Sequence, residues 1–335
     1  MKKTIIMLVV LVFAAFSGCV DNTVPKTPED QENVMTHLSI GYQPSTHQVA
    51  EMVAMDKGWW KDDLALFGIT EVSEHQFPSG PPEMQSMMAG DLDIAYVGTA
   101  PPITAIARGL DARIVAAVQT QGSDLVLTPD LADNYTSPSD LTGLKIATFP
   151  PGSIQDTVFK KFLMDNDVSI ADVKILPMSP GDAMTAITAG AVDGIFLPHP
   201  GPAIIELDGN GAIVAHSGEM WQNHACCCLV VSGDLIENHP EMVEEIIRIH
   251  IKATDYVNAN QNESARIFAD KIGYDLDQVE YSFETWDGKW ITDPHTILND
   301  AIEFAKVDYD LEYIDRVLTA EDLFDTSFYD KVTGE

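Results

Sequence analysis

The sequence predicts an α/β fold made of two similar lobes, and three observations support that prediction. Strand-like segments alternate with helical segments from His37 onward, which is typical of mainly parallel sheets covered by helices. The segments 79–98 and 179–198 resemble each other, because each has a Ser turn, a short helix, an Ala-Gly stop and a strand that begins with Asp. Two copies of one unit indicate two lobes rather than a solenoid, which needs at least three repeats.

The first part of the chain has a predicted strand at 37–42 and an amphipathic helix at 46–60. Further strands are predicted at 72–77, 93–97 and 114–118, and helices at 82–89 and 101–108. Later strands are predicted at 145–148, 173–176, 194–197 and 212–215. After Pro240 the chain is mostly helical, with predicted helices at 242–258, 263–272 and 295–304.

The 335-residue chain is strongly acidic, with 52 Asp and Glu against 19 Lys and Arg and a formal net charge of −33. A nucleic-acid-binding protein needs a basic face that neutralises phosphates, so the composition argues against that class. It argues equally against electrostatic attachment to anionic lipid. An acidic surface of this kind favours a soluble monomer.

The N-terminus has the features of an export signal. Lys2 and Lys3 precede an apolar run at 4–16 that is too short to span a bilayer, and Ser17-Gly18-Cys19 follows. Small residues before a Cys resemble a lipobox, which implies export, cleavage before Cys19 and lipidation of its thiol; an ordinary signal peptide is the alternative. Residues 1–19 are therefore expected to be the signal and 20–36 a flexible tether, so that membrane contact is through the lipid alone.

The remaining cysteines, Cys226 to Cys228, form one run and cannot build a disulfide framework. The segment ACCCLVVS has the composition of a strand, so Cys226 and Cys228 are predicted to face one side and Cys227 the other. A buried strand of small thiols is the simplest interpretation. We predict no metal site, because three adjacent Cys do not fit one tetrahedral ion.

Five predicted strand-to-helix loops contain Ser, Thr, Gly or Pro where a helix begins: 42–47, 79–82, 98–102, 151–156 and 179–182. Ser153 is a predicted N-cap with Asp156 as its capping-box partner, and Ser179 repeats this arrangement. Helix starts have unpaired N–H groups and a partial positive dipole, and such loops meet at the carboxyl ends of strands. The sequence therefore predicts an anion site that needs no Lys or Arg.

Four ring side chains lie near these loops. His47, His199 and His224 are candidates for donating to an anion or binding metal, although they lack the local spacing of a zinc site and each is also compatible with a structural role. Trp221 is a candidate for stacking on a planar ligand or for packing within a lobe.

Several segments, in order, resemble the substrate-binding proteins of nitrate, sulfonate, taurine and bicarbonate ABC importers. They are IGYQPSTHQVAEMVAMDKGWW, FPSGPPEMQSMMAGDLDIAYVGTAPP, VAAVQTQGSDLVL, LTGLKIATFPPGSIQDTVFKKFL, AITAGAVDGIFLPHP and LVVSGDLIENHPEMVEE. The resemblance implies a periplasmic-binding-protein type II fold, in which two lobes joined by a hinge close on a ligand cleft. Together with the repeated unit, it predicts lobe I at 37–121 plus 230–335 and lobe II at 122–229.

The resemblance also implies which residues line the cleft: Pro44, Ser45, Thr46, His47, Ser79, Gly80, Gly98, Thr99, Gln121, Gly122, Ser123, Gly152, Ser153, Ile154 and Gln155. His199 stands at a further cleft position, where relatives often have an acidic or aromatic residue. The implied ligand is a small anion such as a sulfonate or nitrate. The implied partners are an ABC permease and ATPase at the extracytoplasmic face of the cell membrane.

The Cys run also resembles the pyrimidine-synthase branch of the same fold, where a Cys run with a further Cys after one residue is implicated in iron binding. Here Leu229 and Val230 follow, so the last Cys is missing. A thiamine-precursor pyrimidine is therefore the alternative ligand, and a synthase-like enzyme a weaker alternative. The chain contains no G-x-S-x-G, P-loop or H-E-x-x-H motif, so we expect a binding protein without catalytic residues or a cofactor.

Overall fold

Two β-sheets organise the part of the chain that the computed structural model describes, residues 35–334. The predicted signal, Cys19 and the tether as far as Val34 lie outside the described residues. The strands are β1 His37–Tyr42, β2 Glu71–Gln76, β3 Ile94–Gly98, β4 Ala112–Thr120, β5 Ser123–Leu127, β6 Lys145–Thr148, β7 Lys174–Pro177, β8 Gly194–Pro198, β9 Ala212–His216, β10 Ala225–Ser232 and β11 Lys289–Trp290.

The two sheets have matching topologies. The first has the order β11-β4-β10-β3-β1-β2 and the second β7-β6-β8-β5-β9. In each sheet three parallel strands (β2, β1 and β3; β7, β6 and β8) adjoin an antiparallel strand, β10 or β5. The predicted alternation is thus confirmed, but each sheet is mixed rather than mainly parallel. The two similar segments occupy equivalent places, since β3 belongs to the first sheet and β8 to the second.

Helices cover both sheets. They are α1 Val49–Asp56, α2 Trp59–Leu64, α3 Gly80–Met88, α4 Ala100–Ala107, α5 Pro129–Ala132, α6 Ile154–Asp165, α7 Pro180–Thr188, α8 Gly201–Leu207, α9 Ser217–Met220, α10 Gly233–Asn238, α11 Pro240–Ala259, α12 Gln261–Ile272, α13 Leu276–Thr285, α14 Leu298–Asp310, α15 Ala320–Leu323 and α16 Ser327–Thr333. Within residues 35–334, no helix is both long and apolar enough to cross a bilayer.

The predicted helix at 46–60 is wrong as a single element. A 3-10 turn at Thr46–Gln48 leads into α1, and Gly58 separates α1 from α2. Gly58 has a φ of 72°, a left-handed conformation that ends a helix at little cost only when the residue lacks a side chain. The periodicity of apolar residues continues through the break, which is why the pattern predicted one helix.

Strand β10 lies in the middle of the first sheet, between β4 and β3, and seven of its eight residues are buried. The chain enters the second sheet at Ser123 and has returned to the first by Ala225. The return therefore precedes the expected lobe boundary between Leu229 and Val230. The reason is that β10 pairs with β4 along its whole length, from Ala225 to Ser232.

Candidate functional site

The chain passes from the first sheet to the second in a sharp turn at Gln121 and Gly122, which we call the first crossing. These residues have φ values of 59° and 80°. Asp287, in the loop after α13, makes two hydrogen bonds with this turn and a third with α9. Asp287 accepts from the N–H of Gly122 at 2.8 Å and from that of Gly218 at 2.7 Å, and the side-chain amide of Gln121 donates to the Asp287 carbonyl at 2.8 Å. Asp287 thus connects the turn at Gln121 and Gly122 with Gly218 of α9.

His47 packs directly against this turn. The 3-10 turn that carries it begins at Ser45, whose Oγ accepts from the His47 N–H at 3.2 Å. The imidazole Nε2 donates to the Gly122 carbonyl at 2.6 Å. This bond fixes the protonated nitrogen, because a carbonyl oxygen only accepts. The other nitrogen, Nδ1, then faces the sulfur atoms of Cys226 and Cys227 at 3.4 and 3.8 Å.

The predicted alternation of the cysteines is wrong. The pairing of β10 with β4 shifts register between Ala225 and Cys227 and again between Cys227 and Cys228. A β-bulge of this kind inserts an unpaired residue and redirects side chains, so Cys226 and Cys227 both approach His47. Their sulfur atoms lie 4.0 Å apart. All three thiols are free and buried, as the simplest interpretation of the run predicts.

The environments of the three thiols differ. Burial raises the pKa of Cys226 and of Cys228 well above the ordinary value. Burial also acts upward on Cys227, but the neighbouring polar groups of Cys226, His47 and Gln48 outweigh it and lower its pKa to about 6. The Gln48 amide reaches the Cys227 sulfur at 4.0 Å. The site therefore stabilises a thiolate at Cys227.

Hydrogen bonds join several of the predicted cleft residues to their neighbours, and those to His199 connect a loop of the first sheet to a loop of the second. Ser45 Oγ and the Thr46 N–H both donate to the His199 carbonyl, at 3.0 and 3.1 Å. Gln155 donates to the Ser123 hydroxyl at 3.0 Å. Thr99 donates from its backbone N–H to the Cys226 carbonyl at 2.8 Å.

Three helix starts converge at this place. The Gly80 Cα faces Pro101, since an added Cβ would lie 2.4 Å from the Pro101 ring, so α3 and α4 begin side by side. A Cβ on Gly98 would lie 2.9 Å from Ile154, at the start of α6. The arrangement joins two helices that follow the first sheet to one from the second. Each helix start carries a partial positive dipole, which is the feature on which the predicted anion site depends.

Other predicted residues mainly cap or pack. Ser153 is confirmed as an N-cap, accepting from the Asp156 N–H at 3.3 Å, but the Asp156 carboxylate binds Lys160 and Tyr313 instead of closing a capping box. Ser179 is confirmed in the same role for α7. Ser79 precedes α3 without a side-chain cap bond, Gly152 has a φ of 80° beside Thr104, and Pro44 is partly exposed.

His199 is fully buried and both of its ring nitrogens have protein partners. Nε2 donates to Asp124 at 2.6 Å, and Nδ1 lies 2.9 Å from the Ser282 hydroxyl on α13. His216 also donates to Asp124, at 2.8 Å. Burial alone would raise the pKa of Asp124, but the two imidazoles hold it below the ordinary value, and the same bond raises the pKa of His216 to about 9. The His199 ring therefore connects the end of β8 to β5 and α13 and leaves no donor for a ligand.

Trp221 and His224 lie against α14. The Trp221 ring stacks on Phe304 at 4.3 Å between centroids, which favours the packing interpretation. His224 is fully buried with neither ring nitrogen hydrogen-bonded to a described residue. Burial, together with nearby His47, lowers its pKa to about 3. His224 is thus an uncharged imidazole with unused polar capacity near the cysteine pair.

The sequence reasoning missed four side chains at the crossing: Gln119, Trp286, Asp287 and Trp290. A Cβ at Gly122 would lie 2.5 Å from Gln119 Nε2 and 2.7 Å from the Trp286 ring, which shows how closely these groups converge. Trp290 donates to the Thr46 carbonyl at 3.0 Å and packs 4.6 Å from Trp286. Two features of the sequence could have identified these residues: the motif WDGKW at 286–290, and a polar Gln near the end of the apolar strand β4.

Several buried polar atoms around the crossing have no hydrogen-bond partner among residues 35–334. They include Thr46 Oγ1, Gln119 Oε1 and both nitrogens of His224. An unpaired buried polar atom costs about 1–3 kcal/mol unless a water molecule or a solute hydrogen-bonds to it. None of the predicted cleft residues is Lys or Arg. The site therefore offers dipoles, hydroxyls, amides and imidazoles rather than fixed cations.

A family model described as the NMT1-like family matches residues 31–273. A protein of Bacillus subtilis (strain 168) named as a candidate aliphatic sulfonates-binding protein is 27% identical over 344 residues, which cover 100% of this chain and 98% of the relative. The taurine-binding periplasmic protein of Escherichia coli (strain K12) is 24% identical over 224 residues, 67% of each chain.

Solved structures share the architecture. The alkanesulfonate-binding protein SsuA from Xanthomonas axonopodis pv. citri, bound to MOPS, superposes with a TM-score of 0.75 at 20% identity over 87% of this chain and 98% of that one. The periplasmic nitrate-binding protein NrtA from Synechocystis PCC 6803 gives a TM-score of 0.78 at 14% identity over 89% and 88%. These similarities confirm the predicted fold, a two-lobed periplasmic-binding-protein type II architecture.

Proposed function

We propose, because this chain belongs to the NMT1-like family, that it is an extracytoplasmic solute-binding lipoprotein of an ABC importer. The family is the one that the sequence motifs predicted, and the relatives described above are binding proteins. In this proposal the chain captures a small anion, a sulfonate or nitrate, between its lobes and delivers it to the permease. The partners are a permease and an ATPase subunit.

The observation that carries the ligand class is the convergence of the starts of α3, α4 and α6. Each helix start has a partial positive charge, and together they favour a negative group despite the net charge of −33. A bound ligand responds most to the nearest groups, because salt screens exposed charges beyond about 8–10 Å. Sulfonate and nitrate oxygens accept hydrogen bonds, which suits unpaired N–H, hydroxyl and imidazole donors.

The proposal keeps the two predicted lobes but places the boundaries between them at the two points where the chain crosses between the sheets. Gln121 and Gly122 form one crossing and the segment between His216 and Ala225 the other. Asp287 binds Gly122 in the first crossing and Gly218 in the second, so we propose that it holds the two segments of the hinge together. The proposed site residues are the cleft residues that the family resemblance implies. His199 and Trp221 are assigned to packing within the protein.

Calorimetric titration of protein lacking residues 1–19 tests the ligand class, with nitrate, bicarbonate, taurine, alkanesulfonates and hydroxymethyl-pyrimidine as probes. We expect binding of one or more of the anions. Ser153→Ala should weaken that binding by about 0.5–1.5 kcal/mol, because the Oγ that accepts from Asp156 still has its own proton to donate.

Ser179→Ala is the matched control for this substitution. Ser179 caps α7 by the same 3.3 Å bond to an Asp N–H, but its hydroxyl proton is used by the Asp182 carboxylate at 2.6 Å. Its loss should cost helix stability, about 1 kcal/mol, and leave solute affinity unchanged. Equal affinities in wild type and both variants would reduce Ser153 to a helix cap.

A planar pyrimidine is the second candidate ligand, and one observation favours it. Trp286 lies 5.7 Å from His47 and 6.4 Å from His199 between ring centroids, so aromatic faces surround the crossing. Rings of this kind stack on planar heterocycles. If only hydroxymethyl-pyrimidine binds in the titration, the anion proposal is wrong while the solute-binding role stands.

Membrane anchoring through Cys19 is proposed from the lipobox-like sequence. Cys19→Ala should move the protein from the membrane fraction to the soluble fraction, because the lipid is the only anchor in this proposal. Fractionation of expressing cells followed by immunoblotting measures the shift. A wild-type protein that is already soluble after export would contradict the lipoprotein assignment.

A further inference from the structure

We propose that His47, Cys226 and Cys227 form a binding site for one zinc ion. Their ligand atoms all lie within 4.8 Å of one another, and all three residues are buried. They come from distant parts of the chain, the turn after β1 and the bulge of β10. The proposal is independent of the identity of the transported solute.

The spacing of the three atoms matches a zinc coordination sphere. With zinc–sulfur and zinc–nitrogen bonds of about 2.3 and 2.0–2.1 Å, a tetrahedral site separates two sulfur atoms by about 3.8 Å and each sulfur from the nitrogen by about 3.6 Å. The observed separations are 4.0 Å between the sulfur atoms and 3.4 and 3.8 Å from His47 Nδ1 to each. The side chains therefore need only small shifts to accept an ion.

The tautomer of His47 is the one that a metal ligand requires. Its Nε2 donates to the Gly122 carbonyl at 2.6 Å, so Nδ1 presents a lone pair to the two sulfur atoms. Metal-binding imidazoles characteristically donate their second nitrogen to a carbonyl or carboxylate, which fixes the ring and strengthens the ligand. A histidine that only filled space would not need this orientation toward both thiols.

The donor set selects the kind of ion. One imidazole and two thiolates suit zinc or copper(I), whereas Mg²⁺ and Ca²⁺ prefer oxygen ligands. Both sulfur atoms bind zinc as thiolates, so any remaining thiol proton is released to solvent; no oxidation state changes and no co-reactant is needed. Three protein ligands leave a fourth position for water or an oxygen of a bound solute.

Cobalt titration of the full-length protein carrying Cys19→Ser tests the proposal, because only the three strand thiols then remain. Reduced, chelator-treated protein should bind one equivalent of Co²⁺ with sulfur-to-cobalt charge-transfer absorption, and Zn²⁺ should displace it. Cys226→Ser, Cys227→Ser and His47→Gln should each weaken zinc binding by more than about 100-fold, since loss of an outer-shell partner alone costs up to that factor.

Cys228→Ser is the matched control, because Cys228 is buried in the same strand but lies outside the group of three. It should bind cobalt and zinc as the parent does. Circular dichroism without metal verifies that each variant is folded, and the parent protein alone decides the question if a variant is not. Absence of the charge-transfer band in the reduced parent overturns the proposal. So does an equal loss of binding in Cys228→Ser and Cys226→Ser.

Discussion

Replacing Asp124 by Ala is expected to lower the free energy of unfolding by about 3–5 kcal/mol. The carboxylate is fully buried and accepts from His199 at 2.6 Å and from His216 at 2.8 Å. Its removal leaves the buried His199 N–H without an acceptor and breaks the connection through His199 to Ser282 on α13. Equilibrium denaturation in urea measures the loss. Asp133→Ala at the exposed end of α5 is the control and should change little.

The pH dependence of the free energy of unfolding distinguishes loss of the hydrogen bonds between Asp124, His199 and His216 from a general loss of packing. The pKa of His216 is raised from 6.5 to about 9, chiefly by its bond to Asp124. A raised pKa contributes stability that is complete below pH 6.5 and is lost as pH rises through 9. The pKa of Asp124 is lowered, so its contribution is lost only in acid. Wild type should lose stability between pH 6.5 and 9, and a variant without Asp124 should lack that slope; an identical slope contradicts the network.

Local patterns predicted the strands well because burial and alternation act over a few residues. The predicted strands at 37–42 and 225–232 coincide with β1 and β10, and the strand at 145–148 coincides with β6. Residues 225–232 are a nearly continuous apolar run, and in the other two segments apolar residues lie between polar or turn residues. The helix at 46–60 failed for the converse reason. One glycine in a left-handed conformation divides a continuous apolar pattern, and amphipathicity is insensitive to such a break.

The positions of the side chains in the candidate site depend on contacts between distant parts of the chain, which no local sequence pattern encodes. The rule that side chains alternate along a strand placed Cys226 and Cys227 on opposite faces, but a bulge against β4 brings both to His47. A bulge is set by the partner strand, about a hundred residues earlier in the chain. His199 illustrates the same limit. Its place in a cleft loop was predicted, yet its bonds to Asp124 and Ser282 depend on the pairing of β8 with β5 and on the packing of α13.

The crossing at Gly122 is where we expect the second large effect. Gly122→Ala should lower the free energy of unfolding by about 2–5 kcal/mol. A side chain on a residue in the left-handed conformation costs about 1–2 kcal/mol, and overpacking against its neighbours costs about 1–3 kcal/mol. Gly122 has a φ of 80°, and a Cβ there would lie 2.5 Å from Gln119 Nε2, 2.7 Å from Trp286 and 2.8 Å from His47 Nε2. Denaturant unfolding of the variant and wild type measures the difference.

Two of these three neighbours, Gln119 and His47, have little freedom to move away. Gln119 Nε2 donates to the Thr120 and Gln121 carbonyls at 2.6 and 2.7 Å, and His47 Nε2 is bound to Gly122 itself. Gly190→Ala separates the two contributions, because Gly190 has a φ of 67° but nothing within 4 Å of the added Cβ. It should lose only the backbone part, about 1–2 kcal/mol. If both alanine variants lose the same stability, the close packing of His47 against the crossing contributes nothing. If Gly122→Ala loses more, the excess measures how tightly the crossing holds the imidazole that faces Cys226 and Cys227.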